Sequence, residues 1–387
     1  MRLKLSKMYV LSLYAALIGQ TCMLIGLPFQ IAFLTTLGTY SIVGASLLCV
    51  VTWFVNDKYD NGIGKLLLVV LTFFTLCSVV YSWVFSYSVF VRVITFLELP
   101  IFLLTADKIK SKVVKNFIYA FNMLYPVLFG VLLASPMSHR YYGEYGMITH
   151  ENITLGYGNP NETAIYLLFN FIILFAAVFK FKNVFFKILC LVEAVFVGYL
   201  IFHTASRAAI VIAITVVLAS VILKKIKLNG PILLGVFAIP IFFFFILRWF
   251  PDVTILGEAF DTGRSEMYEI IFTQLDFGKF LLGDFASFEL GNAHNALLSI
   301  FASLGVVSTI FFVIILYRQA KNLGKTVAFK EKKVLLISVL AIIIHSSVEA
   351  AVFVSGTAYA SLFFMLYYLC LDDSEMTEGP LNENTAR

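Results

Sequence analysis

Long apolar runs alternate with short polar connections along almost the whole 387-residue chain. The runs are continuously apolar rather than apolar at every second position, which indicates helices and not the strands of a barrel. Each run can cross a hydrocarbon core of about 30 Å at about 1.5 Å per residue, so the pattern predicts an all-α, polytopic helical bundle of about 12 transmembrane helices. The predicted spans are 8–26, 30–55, 65–86, 89–106, 113–134, 162–179, 184–203, 207–223, 231–250, 294–317, 333–352 and 355–371.

Composition agrees with this pattern, since 60% of the residues are hydrophobic and only 13% are charged, against roughly 25% in an average soluble domain. The first run has a basic start but no small-x-small cleavage site after it, so we expect an uncleaved first span. All five cysteines lie in or beside spans and are expected to be small apolar residues rather than disulfide partners. We predict one membrane domain, 1–371, followed by a disordered cytoplasmic tail, 372–387.

The basic residues are distributed unequally between the two predicted sides of the membrane. Most of the 28 lysines and arginines lie in the tails and in alternate connections, which predicts that both termini are cytoplasmic. Lys279 is the one lysine on the outer side, whereas five of the eight arginines are there. Arginine presents a planar fork that fits phosphate or carboxylate oxygens, so the outer side is the expected working side. The net charge of +5 follows from topology and indicates no nucleic-acid partner.

Two outer connections are long, at about 135–161 and 251–293. Within the second, Met267, Ile270, Ile271 and Leu275 recur at helical spacing, which predicts a short amphipathic helix on the outer membrane surface with Arg264 at its start.

Three outer segments place a cationic or basic side chain where a helix begins. Arg207 starts the eighth predicted span, Arg264 the surface helix and His294 the tenth span. Unpaired N–H groups at helix starts attract anions, so this arrangement predicts a phosphate or diphosphate site. Taken singly, each residue has a plainer interpretation, as an arginine that reaches the headgroups or as a histidine that caps a helix.

Four segments in this order resemble the O-antigen polymerase and O-antigen ligase family of bacterial polysaccharide assembly, known as the Wzy type and its ligase relatives. They are GNPNETAIYLL (158–168), TASRAAIVIAI (204–214), TGRSEMYEIIFTQ (262–274) and HNALLSIFASLGVVS (294–308). The resemblance covers roughly the C-terminal two thirds of the chain. Ala208 and Ser303 depart from it, because many relatives have glycine at the first position and an acidic residue at the second.

The resemblance implies a glycosyltransferase that moves a glycan from undecaprenyl diphosphate to an acceptor hydroxyl at the outer face, without metal or cofactor. Arg207 and Arg264 would hold the diphosphate, and His294 would take the acceptor proton. This division is chemically reasonable, since a departing diphosphate needs charge stabilisation and an attacking hydroxyl needs a base. A single displacement predicts inversion at the anomeric carbon. The implied partners are the undecaprenyl-diphosphate-linked oligosaccharide as donor and acceptor, membrane lipid and a chain-length regulator.

Other polar positions are possible supporting residues. His345 and Glu349 lie four residues apart on one face of the eleventh predicted span. They are either a functional ionisable pair or a polar pair that holds helices together. A zinc site there would need a third ligand, and no HExxH or CxxC pattern supplies one. Asn161 is expected to cap the sixth span, with sugar contact as the alternative, and Asn295 follows the predicted base. Glu98 and Glu193 fall near mid-membrane, where structural pairing or a protonated state is expected.

Three functions remain open. A polymerase would use a second lipid-linked repeat unit of O-antigen or capsule as acceptor, whereas a ligase would use lipid A-core, and the motifs are the same for both. We favour the polymerase. A lipid-linked oligosaccharide flippase or other transporter would instead show polar residues through a central cavity, inverted repeats and spans broken near the midplane.

Overall fold

A computed structural model describes residues 2–56, 62–109, 111–136, 139–141, 151–157, 160–223, 230–249, 254–255, 258–259, 264–288, 294–323, 330–349, 351–354 and 357–371. The predicted tail, 372–387, lies outside these residues. The helices are α1 Arg2–Gly26, α2 Ala32–Asn56, α3 Ile63–Tyr81, α4 Tyr87–Thr105, α5 Lys112–Leu133, α6 Pro160–Lys180, α7 Val184–His203, α8 Arg207–Ile222, α9 Gly230–Trp249, α10 Arg264–Thr273, α11 Phe277–Leu282, α12 Ala296–Leu323, α13 Lys330–His345, α14 Ala351–Val354 and α15 Thr357–Cys370. Two short hairpins, β1 His139–Tyr141 with β2 Glu151–Ile153 and β3 Thr254–Ile255 with β4 Glu258–Ala259, lie in the long connections.

A helix occupies each of the predicted spans, and the fold is a helical bundle as the apolar pattern indicates. Eight of the helices in the described part of the chain are long and apolar enough to cross a membrane, and α8 and most of α15 are shorter apolar helices. By length and composition the chain is therefore a multi-pass membrane protein.

One end of the bundle is marked by buried lysines. Lys115 of α5 and Lys332 of α13 both donate to the backbone oxygens of Leu369 and Leu371, where α15 ends. Free carbonyl groups at a helix C-terminus attract cations, so the two ammonium groups cap α15 and join it to the starts of two other helices. We call this the lysine-rich end.

The opposite end holds the start of α8 and the end of α13, and we call it the His345 end. Lys333 in the first turn of α13 donates to the oxygen of Leu223, just after α8, over 2.8 Å. The end of α8 and the start of α13 therefore lie together at the lysine-rich end, and the two helices are antiparallel. Tyr157, just before α6, donates its hydroxyl to the oxygen of Leu24 over 2.8 Å. The Lys180 Nζ at the end of α6 lies 3.7 Å from the Glu331 Oε1 at the start of α13, so the start of α6, and with it the end of α1, is also at the His345 end.

Aromatic rings take part in the close packing between helices. The rings of Phe102 on α4 and Phe364 on α15 stack 4.6 Å apart, and those of Phe96 on α4 and Phe312 on α12 stack 5.3 Å apart. These four side chains are fully buried. Ring contacts of this kind add to dispersion between helices, which matters where lipid removes the hydrophobic driving force.

The tenth predicted span, 294–317, is occupied by α12, which is long and apolar enough to cross a membrane but contains a break that the sequence analysis did not predict. α12 begins at Ala296 and is broken at Gly305, where φ is 78° and ψ is 173°. The break frees carbonyl groups that other segments satisfy. The oxygen of Ala302 accepts from the backbone N–H of Asp284 at 2.8 Å, and the oxygen of Leu304 accepts from the Ser78 hydroxyl at 3.0 Å. The segment around α11 therefore inserts against the break.

The eleventh predicted span, 333–352, is wrong at its end. α13 ends at His345, a turn covers residues 346–348, and Glu349 lies beyond the helix. His345 and Glu349 are therefore not two positions on one regular helix face, although the Glu349 N–H still donates to the His345 oxygen at 3.1 Å.

Candidate functional site

The start of α12 is held in an unusual backbone conformation. His294 is exposed and has φ of 49°, in the left-handed region that side chains other than glycine rarely adopt. The side-chain oxygen of Asn295 accepts from the Leu298 N–H at 3.1 Å, so Asn295 and not His294 caps the helix. This turn leaves His294 outside the helix, directly before its first residues, and the N–H groups of Ala296 and Leu298 are already hydrogen-bonded within the protein.

A backbone hydrogen bond joins the start of α12 to the end of α13. The N–H of Ala296 donates to the oxygen of Ser346 at 2.8 Å. His345, the preceding residue, is 3% exposed, and its Nδ1 has no hydrogen-bond partner among the described residues. The predicted base, His294, lies two residues before Ala296. The Ala296–Ser346 hydrogen bond therefore joins the His294 segment to the segment that contains the buried His345.

The predicted cation Arg264 also belongs to this region. The helix predicted in the second long connection is present as α10, and it begins at Arg264. Arg264 is half-buried, and its positive charge is close enough to His345 to act on it electrostatically. A cationic side chain, a helix start and a buried imidazole are thus brought to one place.

The apolar face of α10 differs from the predicted one. Tyr268 and Ile271 are the buried residues, whereas Ile270 is 38% exposed and Leu275 follows the helix end. Tyr268 and Ile271 pack with Phe288 and with Ala302 of α12. Met267, also on the predicted apolar face, packs against this cluster, so the helix docks on the first half of α12.

Arg207 is the first residue of α8, as predicted. A tight turn precedes it, with φ of 55° at Ala205 and a hydrogen bond of 3.3 Å from the Ser206 N–H to the Thr204 hydroxyl. Because α8 runs antiparallel to α13 from level lysine-rich ends, Arg207 begins its helix at the His345 end of the bundle.

Two carboxylates meet at the same end. Glu162, in the first turn of α6, and Glu349, after α13, are close enough for their charges to interact. Asn161 is the second residue of α6 and is exposed, so the predicted cap role is wrong: the cap position comes before Pro160 and lies outside the described residues.

A buried row of tyrosines lies beside these carboxylates. The Tyr166 ring is 4.7 Å from that of Tyr157 and 5.1 Å from that of Tyr359 on α15. Tyr359 interacts electrostatically with both Glu162 and Glu349. The sequence analysis missed Tyr166 and Tyr359. These two tyrosines are almost 200 positions apart in the chain, and no local sequence pattern relates residues at that separation.

The segment at the break of α12 carries its own ion pair. Lys279 of α11, the one lysine predicted on the outer side, lies 2.7 Å from Asp284. Burial raises the pKa of Asp284, but hydrogen bonds from Lys279 and Ser287 and the charge of Lys279 outweigh it and hold the pKa below its usual range. The hydrogen bond to Asp284 raises the pKa of Lys279.

Chemically, the His345 end offers helix starts, two arginines, two histidines and two carboxylates. Helix starts and guanidinium groups suit phosphate oxygens, whereas carboxylates repel them and suit sugar hydroxyls. Over the described residues, no group of three or more His, Cys, Asp or Glu side chains is arranged to hold a metal ion. No protein-family model, curated protein or solved structure matches this chain.

Proposed function

We propose that this protein is a polysaccharide polymerase that transfers a glycan from undecaprenyl diphosphate to a hydroxyl of a second lipid-linked repeat unit. About 12 helices would span the bacterial inner membrane, with both termini in the cytoplasm and the His345 end facing outward. The observation that supports this most is the electrostatic interaction of Arg264 with His345, whose neighbour Ser346 is joined to the His294 segment by the Ala296–Ser346 bond.

In this mechanism Arg264, Arg207 and the helix starts bind the diphosphate, and their charge stabilises it as the bond to the sugar carbon breaks. The exposed His294 imidazole accepts the proton of the attacking hydroxyl. Glu162 and Glu349 bind sugar hydroxyls, because a carboxylate is a strong hydrogen-bond acceptor that repels phosphate. Attack from the face opposite the leaving diphosphate inverts the anomeric centre.

The test supplies purified protein with a synthetic undecaprenyl-diphosphate repeat unit, with and without lipid A-core. Wild type is compared with His294→Gly and Arg264→Gln, and the matched controls are His203→Ala at the end of α7 and Arg92→Gln on α4. We expect a product ladder from the repeat unit alone, a loss of about 100- to 10,000-fold without the base, and near-normal rates in both controls.

A product that forms only with lipid A-core would identify a ligase in place of a polymerase. A product that keeps the donor's anomeric configuration would contradict the single displacement. If the controls lose as much activity as the two test variants, His294 and Arg264 have no special role.

A transporter of lipid-linked oligosaccharide is the second candidate, and the break of α12 at Gly305 favours it, because broken helices are common in transporters. Proteoliposomes loaded with a fluorescent lipid-linked oligosaccharide distinguish the two. Movement between leaflets that persists in His294→Gly, with no glycan transfer to any acceptor, would replace the polymerase by a transporter.

A further inference from the structure

A groove between α2 and α4 lies apart from the candidate site. Its volume is about 680 Å³, and its walls carry hydroxyl groups among apolar side chains. Thr35, Thr39 and Val43 line it from α2, and Val91, Ile94 and Thr95 from α4. Both helices begin at the His345 end, so the groove extends along them from that end, and Val43 and Thr95 are its lining residues farthest from it.

Glu98 lies one helical turn beyond the far end of this groove. It is three, four and seven positions after Thr95, Ile94 and Val91, so it shares their face of α4. On α2 the equivalent position, three residues beyond Val43, is Ser46, which is also buried. The two parallel helices therefore each place a buried polar side chain about one turn beyond the groove.

The carboxyl group of Glu98 is buried without a hydrogen-bond partner in the described part of the chain. Its exposure is 0%, and neither oxygen has a hydrogen-bond partner among the described residues. The Ser46 hydroxyl donates to its own helix, at 2.8 Å to the Val43 oxygen. Structural pairing, one of the two states expected from the sequence, is therefore not found in the described part of the chain.

The helices around α4 bring no counter-ion to the depth of Glu98. α2, α14 and α15 contain no Asp, Glu, Lys or Arg, and those of α3 and α12 are near the lysine-rich end. The Cys49 thiol on α2 is hydrogen-bonded to Ser12 and Thr105. Other charged or titratable groups lie on the neighbouring helices, on α4 itself and in the 3₁₀ turn after α4. They are Tyr40, Lys65, Cys77, Tyr81, Tyr87, Arg92, Asp107, Lys108, Tyr317, Arg318, Lys321, Tyr359, Tyr367, Tyr368 and Cys370.

We propose that Glu98 is a proton-binding site inside the bundle, reached from the His345 end through the α2–α4 groove. An ionised carboxylate is costly to bury without a partner, so the carboxyl holds its proton. The groove hydroxyls give water and protons a route to it, whereas the bundle closes around its other sides. This site is independent of glycan transfer, so each proposal can fail without the other.

Dicyclohexylcarbodiimide tests the site, because this apolar reagent adds to protonated carboxyl groups and leaves a stable N-acylurea that mass spectrometry locates. We expect the full-length protein at neutral pH to be labelled at Glu98 and not at Glu266 or Glu269, which are exposed to water on α10. Glu98→Gln should lose the adduct. Labelling of Glu98 no greater than that of Glu269 would overturn the proposal.

Filling the groove tests the route. Thr39→Trp should slow the labelling of Glu98 severalfold, whereas Val69→Trp, a change of similar size at an exposed position of α3, should leave it unchanged. Thr95→Phe is the second variant if Thr39→Trp does not fold, as judged by its melting temperature. Equal labelling rates in all variants would exclude the groove as the route, and protection by sodium at constant pH would replace the proton by a metal cation.

Discussion

At the scale of single residues, the conformation of His294 is the sharpest feature of the candidate site. A side chain other than glycine at a φ of 49° costs roughly 1–2 kcal/mol, and proteins retain such strain mainly where the residue has a role. Glycine relieves the strain and also removes the imidazole. Alanine removes the imidazole and keeps the strain.

A comparison of the two variants therefore separates the effect of backbone strain on stability from the effect of the imidazole on glycan transfer. We expect His294→Gly to melt at or above the wild-type temperature and His294→Ala to melt lower than His294→Gly, with a gap of about 1 kcal/mol in the free energy of unfolding. Glycan transfer should be lost equally in both. If His294→Gly keeps wild-type transfer activity, the imidazole is not the base and only the turn matters.

The sequence predicted the helix-start residues of the site better than their surroundings. α8 and α10 begin at Arg207 and Arg264 as predicted, because a polar residue before a continuous apolar or amphipathic run is a local signal. The electrostatic interaction between Glu162 and Glu349 relates α6 to the turn after α13, and nothing local in the sequence specifies it. The residues that complete the site therefore depend on packing between distant helices.

At the scale of elements, the break of α12 depends on two glycines. A Cβ atom at Gly305 would lie 2.2 Å from the Leu281 oxygen, and one at Gly283 would lie 2.4 Å from the Leu304 nitrogen. Both glycines also have positive φ. The sequence analysis missed the break because a single glycine inside an apolar run is compatible with a continuous helix, and its partner precedes it by 22 positions.

Gly305→Ala should therefore be strongly destabilising, by about 3 kcal/mol or more, since it adds an overlap with backbone to an unfavourable φ. Gly130→Ala on α5 is the matched control, because a Cβ atom there meets nothing within 4 Å. That control should be neutral or stabilising by up to about 1 kcal/mol. Comparable melting temperatures for the two variants would contradict the close approach of α11 to the break.

The Lys279–Asp284 pair should make the stability of the α11 segment depend on pH. The pKa of Asp284 is lowered by folding, so its contribution is present above the unfolded value of about 4 and is lost as the pH falls through the folded value. The pKa of Lys279 is raised, so its contribution is lost above its unfolded value of about 10. The pair therefore stabilises the fold between these limits.

Melting temperatures of wild type and Asp284→Asn, measured from acid to neutral pH, check this dependence. We expect a difference equivalent to about 1 kcal/mol at neutral pH that disappears in acid. Glu269→Gln, at an exposed position of α10, should match wild type throughout. A difference between wild type and Asp284→Asn that does not change with pH would indicate that the lost hydrogen bonds, and not the charge, stabilise the segment.

At the scale of the whole molecule, apolar length predicted the helices well and their ends less well. The predicted span 184–203 coincides with α7, whereas the predicted span 333–352 runs past the end of α13 at His345. Hydropathy measures a continuous apolar run and does not detect the turn at 346–348, where the backbone bonds to α12 instead. The general architecture is therefore predictable from composition, while turns made by contacts between helices are not.

The proposed topology makes one prediction about the whole chain. Three crossings, α7, α8 and α9, separate Lys182 from Gln274, so the two residues should lie on opposite sides of the membrane. In a variant with all five cysteines replaced, cysteine at Gln274 or Ser287 should react with an impermeant maleimide on cells whose outer membrane alone is opened. Cysteine at Asp107 or Lys182 should react only after the inner membrane is opened. All four positions are exposed, so burial does not limit the reaction.

The reverse pattern would put the His345 end in the cytoplasm and remove the proposed outer site. If the cysteines introduced at Lys182 and at Gln274 react under the same condition, one of the three helices does not cross the membrane.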